Sequence, residues 1–184
     1  SYSMIKNKET IYTKKQMIKR RLIVFLGVVF LIAIDQLTKW YAAIKLKEGL
    51  TITFIPQILN FQYIENRGAA FGILQNSRIF FLIITILIVV VSIYIITKIL
   101  YFRRFNLLVM TIIIFLAGGV GNFIDRLFRH YVIDFFEFDF IHFPIFNFAD
   151  IYVTLSLTIF VILMFFVYKD KDFDGILFPK KEKK

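Results

Sequence analysis

The sequence predicts an all-α integral membrane protein of four transmembrane helices carrying a small extracytoplasmic β-element. Three observations predict it. Hydrophobic residues make up 59% of the 184 positions and the mean hydropathy is +0.73, outside the mixed composition of a soluble domain of this size. Four apolar stretches, Leu22–Ile44, Ile79–Tyr101, Leu107–Ile124 and Phe148–Tyr168, reach or approach the roughly 20 residues a helix needs to cross a bilayer. Between the first two, a β-rich patch interrupts the helical pattern.

Residues 1–21 read as a basic cytoplasmic leader, 22–168 as one four-helix membrane domain and 169–184 as a charged cytoplasmic tail. Ser1-Tyr2-Ser3 before Met4 is read as an expression scar. The first stretch sits behind a basic leader as a signal peptide would, but its apolar reach is long and no small-residue cleavage site follows. It is therefore read as a retained span. Thr51–Ile55 and Leu59–Ile64 alternate or are β-rich around Pro56, a strand signal, and lead into Glu65-Asn66-Arg67-Gly68-Ala69-Ala70-Phe71-Gly72, where glycines permit tight turns. Nothing in the second span suggests chemistry, so it is read as scaffold. The third ends Ala117-Gly118-Gly119-Val120-Gly121-Asn122, a density of small residues that lets helices approach closely.

Orientation follows from the Lys and Arg residues near helix ends. Lys14, Lys15, Lys19, Arg20 and Arg21 precede the first span, Arg103 and Arg104 lie between the second and third, and Lys169 and Lys171 follow the fourth. Both termini are thus expected in the cytoplasm, leaving loops 45–78 and 125–147 outside. The net charge of +10 concentrates in membrane-proximal tails, where anionic headgroups attract it, so nucleic acid is not an expected partner. Cysteine is absent, which removes disulfides, thiolate metal sites and a Cys nucleophile.

Four acids, Asp35, Asp125, Asp134 and Asp150, lie within or at the outer ends of apolar segments. An Asp at mid-bilayer costs about 2.5–3.5 kcal/mol on insertion scales, so each needs a partner or a task. Asp35 has Lys39 at i+4, which reads as a self-neutralising pair or as a brace for polar groups of another helix. Asn122, Asp125 and Arg126 share one face, and an Asp125–Arg126 ion pair is the preferred reading. Asp134 and Asp150 have no basic residue within four positions. Brought together in an apolar setting, they would share a proton and form an acid–base pair able to activate water against a peptide carbonyl. Helix capping by Asp150, or by Asn147, competes with that reading. His130, Glu137, Asp139 and His142 lack metal-ligand spacing, and no phosphate loop or serine elbow is present.

Five blocks, Asp35-Gln36-Leu37-Thr38-Lys39, Asn66 to Gly72, Gly121-Asn122-Phe123-Ile124-Asp125-Arg126, Val132-Ile133-Asp134-Phe135 and Phe146-Asn147-Phe148-Ala149-Asp150, resemble in order and spacing the signature blocks of the bacterial lipoprotein signal peptidases, or signal peptidase II. The resemblance covers about residues 22–168. It implies a monomeric four-helix membrane aspartyl endopeptidase of the bacterial plasma membrane. Such an enzyme removes the signal peptide of a prolipoprotein just before the lipobox cysteine, once that cysteine carries diacylglyceryl. The catalytic dyad then falls on Asp134 and Asp150. Asp35, Lys39, Asn66, Arg67, Gly68, Asn122, Asp125, Arg126 and Asn147 are its supporting or substrate-binding residues, with Asn66 on a β-cradle at the outer membrane surface. Partners implied are the lipidated substrate, membrane lipids and globomycin-type inhibitors, with no metal and no cofactor.

Two further expectations concern residues 129–143. Phe136, Phe138, Phe140 and Phe143 are expected to dip into the interface as an aromatic belt, and the segment is a candidate lid. The rival functions are a small transporter or channel, which also uses intramembrane acids, and a non-catalytic assembly factor whose polar residues only join helices.

Overall fold

A computed structural model describes residues 11–68 and 77–177. Helix α1 (Lys14–Lys45) leads to strands β1 (Ile52–Ile55) and β2 (Leu59–Asn66), then to α2 (Arg78–Ile99) and α3 (Asn106–Phe128). Strand β3 (Val132–Phe138) follows, then α4 (Phe148–Ile162), which continues as a π-helical stretch over Leu163–Val167, and the short α5 (Asp170–Phe173). The helices fall where the apolar stretches predict them. Thr13 and Gln16 cap α1 reciprocally, so that helix begins inside the expected leader.

Three helices among the described residues are long and apolar enough to cross a membrane: Arg78–Ile99, Arg103–Phe128 and Phe148–Val167. Three such helices are the spans of a multi-pass membrane protein. Helix α1 runs 32 residues and leaves Leu22, Phe25, Leu26, Val29 and Phe30 exposed at helical spacing.

α3 is the central helix and packs against α1, α2 and α4, whereas α2 and α4 pack mainly on α3 and not on each other. The small residues of α3 make this possible. A Cβ at Gly118 would lie 2.5 Å from the Ala149 carbonyl oxygen, and one at Gly121 would lie 2.5 Å from Asp35 Oδ2. Neither is a separation that real Cβ atoms adopt. The predicted close approach therefore exists, and it joins α1, α3 and α4 at the level of the acids.

The sheet is antiparallel in the order β1-β2-β3. The turn from β1 to β2 closes with Ile58 N–H donating to the Ile55 carbonyl at 3.0 Å, with Pro56 presetting its φ and Gln57 at φ 62 in the left-handed region. The register sets Phe61 opposite Phe136, Ile64 opposite Asp134 and Asn66 opposite Val132. β3 corrects the expectation of a loop over residues 129–143. Val132 to Phe135 are all buried, so the strand has apolar residues on both faces and no alternation to announce it. It pairs with β2 on one edge, and on the other Phe136 N–H donates to the Phe146 carbonyl at 2.8 Å. The expected lid is thus a paired strand. The expected belt divides: Phe136 packs among Phe61, Phe135 and Phe148, while Phe140 and Phe143 are exposed.

Two apolar clusters flank the acids. One joins Met17, Ile99, Phe105, Leu108, Leu163 and Tyr168 across the bundle. The other joins Ala42 and Leu46 of α1 to Ile133 and Phe135 beneath the sheet.

Candidate active site

α1 contributes Asp35, Gln36 and Lys39, the last turns of α3 contribute Asn122 and Asp125, β3 carries Asp134, and the start of α4 brings Asn147 and Asp150. The four acids separate into two chemical classes.

Asp35 and Asp125 are cation-paired. Both are fully buried with Lys39, and a buried ion costs several kcal/mol unless it is paired and hydrogen-bonded. Lys39 Nζ lies 2.8 Å from Asp35 Oδ2 and 2.9 Å from Asp125 Oδ2, and it donates to Asn122 Oδ1 at 2.8 Å. An ammonium has three donors, and all three are used. The other Asp125 oxygen pairs with Arg129. Gln36 Nε2 donates to Asp35 Oδ2 at 3.1 Å and to Asp125 Oδ1 at 3.3 Å. Two carboxylates and two cations thus form a charge-balanced cluster. Both readings of Asp35 hold, because its Oδ1 also accepts from Ala149 N–H at 2.9 Å and so braces the start of α4.

The expected Asp125–Arg126 pair is absent, because the partners of Asp125 are Lys39 and Arg129. Arg126 turns the other way. It donates to the Gly68 carbonyl at 3.2 Å and lies over the Phe81 ring at 4.4 Å.

Asp134 and Asp150 are held by neutral amides. Asp134 Oδ1 accepts from Asn147 Nδ2 at 2.6 Å and its Oδ2 from Asn66 Nδ2 at 2.9 Å. Asp150 Oδ1 accepts from Asn122 Nδ2 at 2.8 Å and its Oδ2 from Asn147 N–H at 3.1 Å. The cap alternatives resolve jointly: Asn147 is the N-cap of α4, and Asp150 completes a reciprocal capping box. Capping does not exhaust Asp150, whose second oxygen turns to Asn122. Asp134 is 2% exposed. Burial, and then the nearby Asp150 charge, raise its pKa from 3.8 to about 7, while the amide bonds from Asn66 and Asn147 and the Lys39 charge pull it back.

The amides are themselves oriented. Lys39 has no acceptor, so Asn122 turns its oxygen to the ammonium and its NH2 to Asp150. Gly68 N–H donates to Asn66 Oδ1 at 2.9 Å, which leaves the Asn66 NH2 for Asp134. Asn147 Nδ2 also meets Asn122 Oδ1 and the Ile133 carbonyl, each at 3.2 Å. Arg67 stands apart, paired with Glu65 at 3.4 Å near the surface and facing the Tyr131 ring. Ala69, Ala70, Phe71 and Gly72 of the glycine-bearing block lie outside the described residues.

The sequence reading missed three contributors. Arg129 stands at i+4 from Asp125, the same spacing that marks Asp35 and Lys39. Gln36 links both acids of the charged cluster. Arg78 donates from the start of α2 to the carbonyls of Arg126 and Leu127, at 2.7 and 2.9 Å, and so satisfies the end of α3. Asn60 and Glu137 meet across β2 and β3 at 3.4 Å, and no group of three metal-ligating side chains gathers among the described residues.

A family model described as signal peptidase (SPase) II matches residues 27–166. The chain is 42% identical over 146 residues to a lipoprotein signal peptidase of Streptococcus pneumoniae, covering 79% of this chain and 94% of that one. It is 39% identical over 155 residues to a lipoprotein signal peptidase of Streptococcus pyogenes serotype M1, covering 84% and 98%. Among solved structures, a bacterial membrane enzyme determined by the in meso method at 2.3 Å superposes with TM-score 0.72 at 33% identity, covering 95% of this chain and 97% of that one. A second, at 1.9 Å, gives 0.70 at 34% identity, covering 86% and 98%.

Proposed function

We propose a function from one premise: this chain belongs to the signal peptidase II family, and it is therefore a protease. Its substrate is the signal peptide of lipoproteins, as the names of its relatives indicate. The finer reading is an aspartyl endopeptidase that cuts immediately before a diacylglyceryl-modified lipobox cysteine.

One observation carries the choice of catalytic groups. Of the four acids at this level, two are neutralised by Lys39 and Arg129, and two, Asp134 and Asp150, receive only amide donors. A carboxylate locked to a cation is a weak base and a poor proton donor. An amide-held pair in an apolar setting keeps one proton between two carboxylates at neutral pH. The ionised member takes a proton from water as that water attacks the scissile carbonyl, and the protonated member donates to the developing oxyanion. The proton then passes to the leaving amine. No step requires a cofactor.

The placement of the acids supports a lipidated substrate. Asp150 sits in the first turn of a membrane-capable helix and Asp134 on the adjoining sheet, so acyl chains can stay in lipid while the peptide reaches the carboxylates. In this reading α1 is the fourth span, both termini are cytoplasmic, and the sheet lies at the extracytoplasmic face of the cell membrane as the cradle for the substrate. Asn66, Asn122 and Asn147 orient the dyad, the buried Asp35–Lys39–Asp125 cluster holds that frame, and Arg126 ties it to Gly68, two residues beyond β2.

The test is cleavage of a diacylglyceryl lipobox peptide by the purified protein in detergent, with Asp134→Asn and Asp150→Asn compared at equal folded content. Wild type should cut before the modified cysteine, and each variant should lose at least about a thousandfold in rate. An inert wild type, or a variant that keeps most activity, would overturn the assignment.

A further inference from the structure

Because α2 and α4 pack on α3 and not on each other, a gap remains between them, and its α3 wall, Thr111 and Phe115, continues at helical spacing to Asn122 beside Asp150. It forms a cavity of about 730 Å³ lined by Leu87 and Val91 of α2, Thr111 and Phe115 of α3, and Ser156 and Phe160 of α4. Its far mouth is different in kind, for Asp170 and Asp174 line it. Both are exposed, and neither makes an ion pair among the described residues. Their neighbour Asp172 is paired with Arg104, and Lys169 and Lys171 of the same segment do not line the cavity. In a chain of net charge +10, two carboxylates that form no ion pair among the described residues and stand at the end of an apolar groove suit a cationic segment. Met164 of the π-helical stretch Leu163–Val167 lines the same cavity, and such irregularities gather at functional positions.

We propose that this groove seats the apolar segment of the substrate's signal peptide, and that Asp170 and Asp174 hold the basic residues that precede it. The inference rests on the peptidase reading above. A secretory signal peptide is a basic region, then an apolar run of about 7–15 residues, then the cleavage site. The groove presents complements to the first two in that order, leading toward the acids that would cut at the third. The lengths agree as well. Ser156 and Phe160 lie six and ten residues along α4 from Asp150, about 9 and 15 Å at the helical rise. A helical signal peptide entering at Asp150 therefore lays its apolar run along the groove and brings the basic residues before that run toward Asp170 and Asp174.

The experiment uses the full chain and two diacylglyceryl lipobox peptides that differ only in three Lys or three Gln in the basic region. Wild type should favour the Lys peptide about three- to tenfold in kcat/KM, through KM and less so at high salt, the size expected of two exposed ion pairs. The double variant Asp170→Asn, Asp174→Asn should lose that preference and cleave both peptides as wild type cleaves the Gln peptide. Val91→Trp, at a half-exposed wall position, should raise KM for both peptides and leave their ratio intact. The inference is overturned if the double variant keeps the preference or slows both peptides equally. It is also overturned if Val91→Trp changes nothing, as a groove filled by membrane lipid would give. Cleavage of the Gln peptide by wild type upholds the peptidase reading whichever way the preference falls, and a wild type inert on both peptides removes that reading and this inference together.

Discussion

Lys39 donates to Asn122 at 2.8 Å, and this contact decides which end of the Asn122 amide faces Asp150. A residue of α1 thereby sets the hydrogen bonding of a carboxylate on α4 through a side chain of α3, without touching it.

Lys39→Met should therefore damage the frame more than the chemistry. It leaves Asp35 and Asp125 buried without the ammonium, a loss of about 3–5 kcal/mol for a broken buried pair. Thermal unfolding in detergent should show a large fall in midpoint. Adding Asp35→Asn and Asp125→Asn, which removes the stranded charges, should recover part of it. A single variant as stable as wild type would show that Lys39 is not what neutralises the two acids.

The pKa of Asp134, raised from 3.8 to about 7 chiefly by burial, makes folding depend on pH. A carboxyl whose folded-state pKa lies above its unfolded one contributes stability that is fully present below about 3.8 and is lost as pH rises through about 7. Wild type should thus lose stability between pH 4 and 7.5, and Asp134→Asn, which cannot ionise, should flatten that part of the curve and unfold later at pH 8. Cleavage should decline above about pH 7 as the shared proton leaves. Parallel stability curves for the two proteins would refute the raised pKa.

Gly121→Ala sets a methyl 2.5 Å from Asp35 Oδ2 and 3.3 Å from Ala149 Cβ. Asp35 is held by Lys39, Gln36 and Ala149 and has no room to yield, so α1 and α4 must move from α3. A destabilisation of about 1–3 kcal/mol is expected, together with a loss of cleavage because Asn122 is the next residue. Gly119→Ala, with its nearest neighbour at 3.8 Å, is the matched control and should be near neutral.

His130 follows the last turn of α3 at φ 70, the left-handed position that glycine occupies at many helix ends. His130→Gly removes that strain and should raise stability by about 1 kcal/mol without altering cleavage. A loss of stability would mean that the imidazole makes contacts outweighing its backbone strain.

Helices and the first two strands were legible because each has a pattern of its own: long apolar runs for α2, α3 and α4, and β-rich segments around Pro56 for β1 and β2. β3 was not, because a strand buried on both faces reads as one more apolar run beside Asp134. The acids could be named from their cost in hydrocarbon, and the Asp35–Lys39 pair from its i+4 spacing. Asn122, Asp125 and Arg126 share a helical face, which favours an Asp125–Arg126 pair, yet Arg129 at i+4 from Asp125 is the cation that reaches it. No local pattern reveals that Lys39 serves Asp125 as well, since that bond joins residues of two helices far apart in the chain. Asn122 and Asn147 were visible as polar residues, but their orientation depends on Lys39 and on the cap of α4.

The two carboxylates that would do the cutting ride on different parts of the molecule, Asp134 on a strand that needs β2 beside it and Asp150 on a helix that needs α3 behind it. Neither the bundle without its sheet nor the sheet without its bundle holds a complete pair. On the proposed dyad, a chain still threading into the bilayer holds no complete pair, and proteolytic competence waits until sheet and bundle have met.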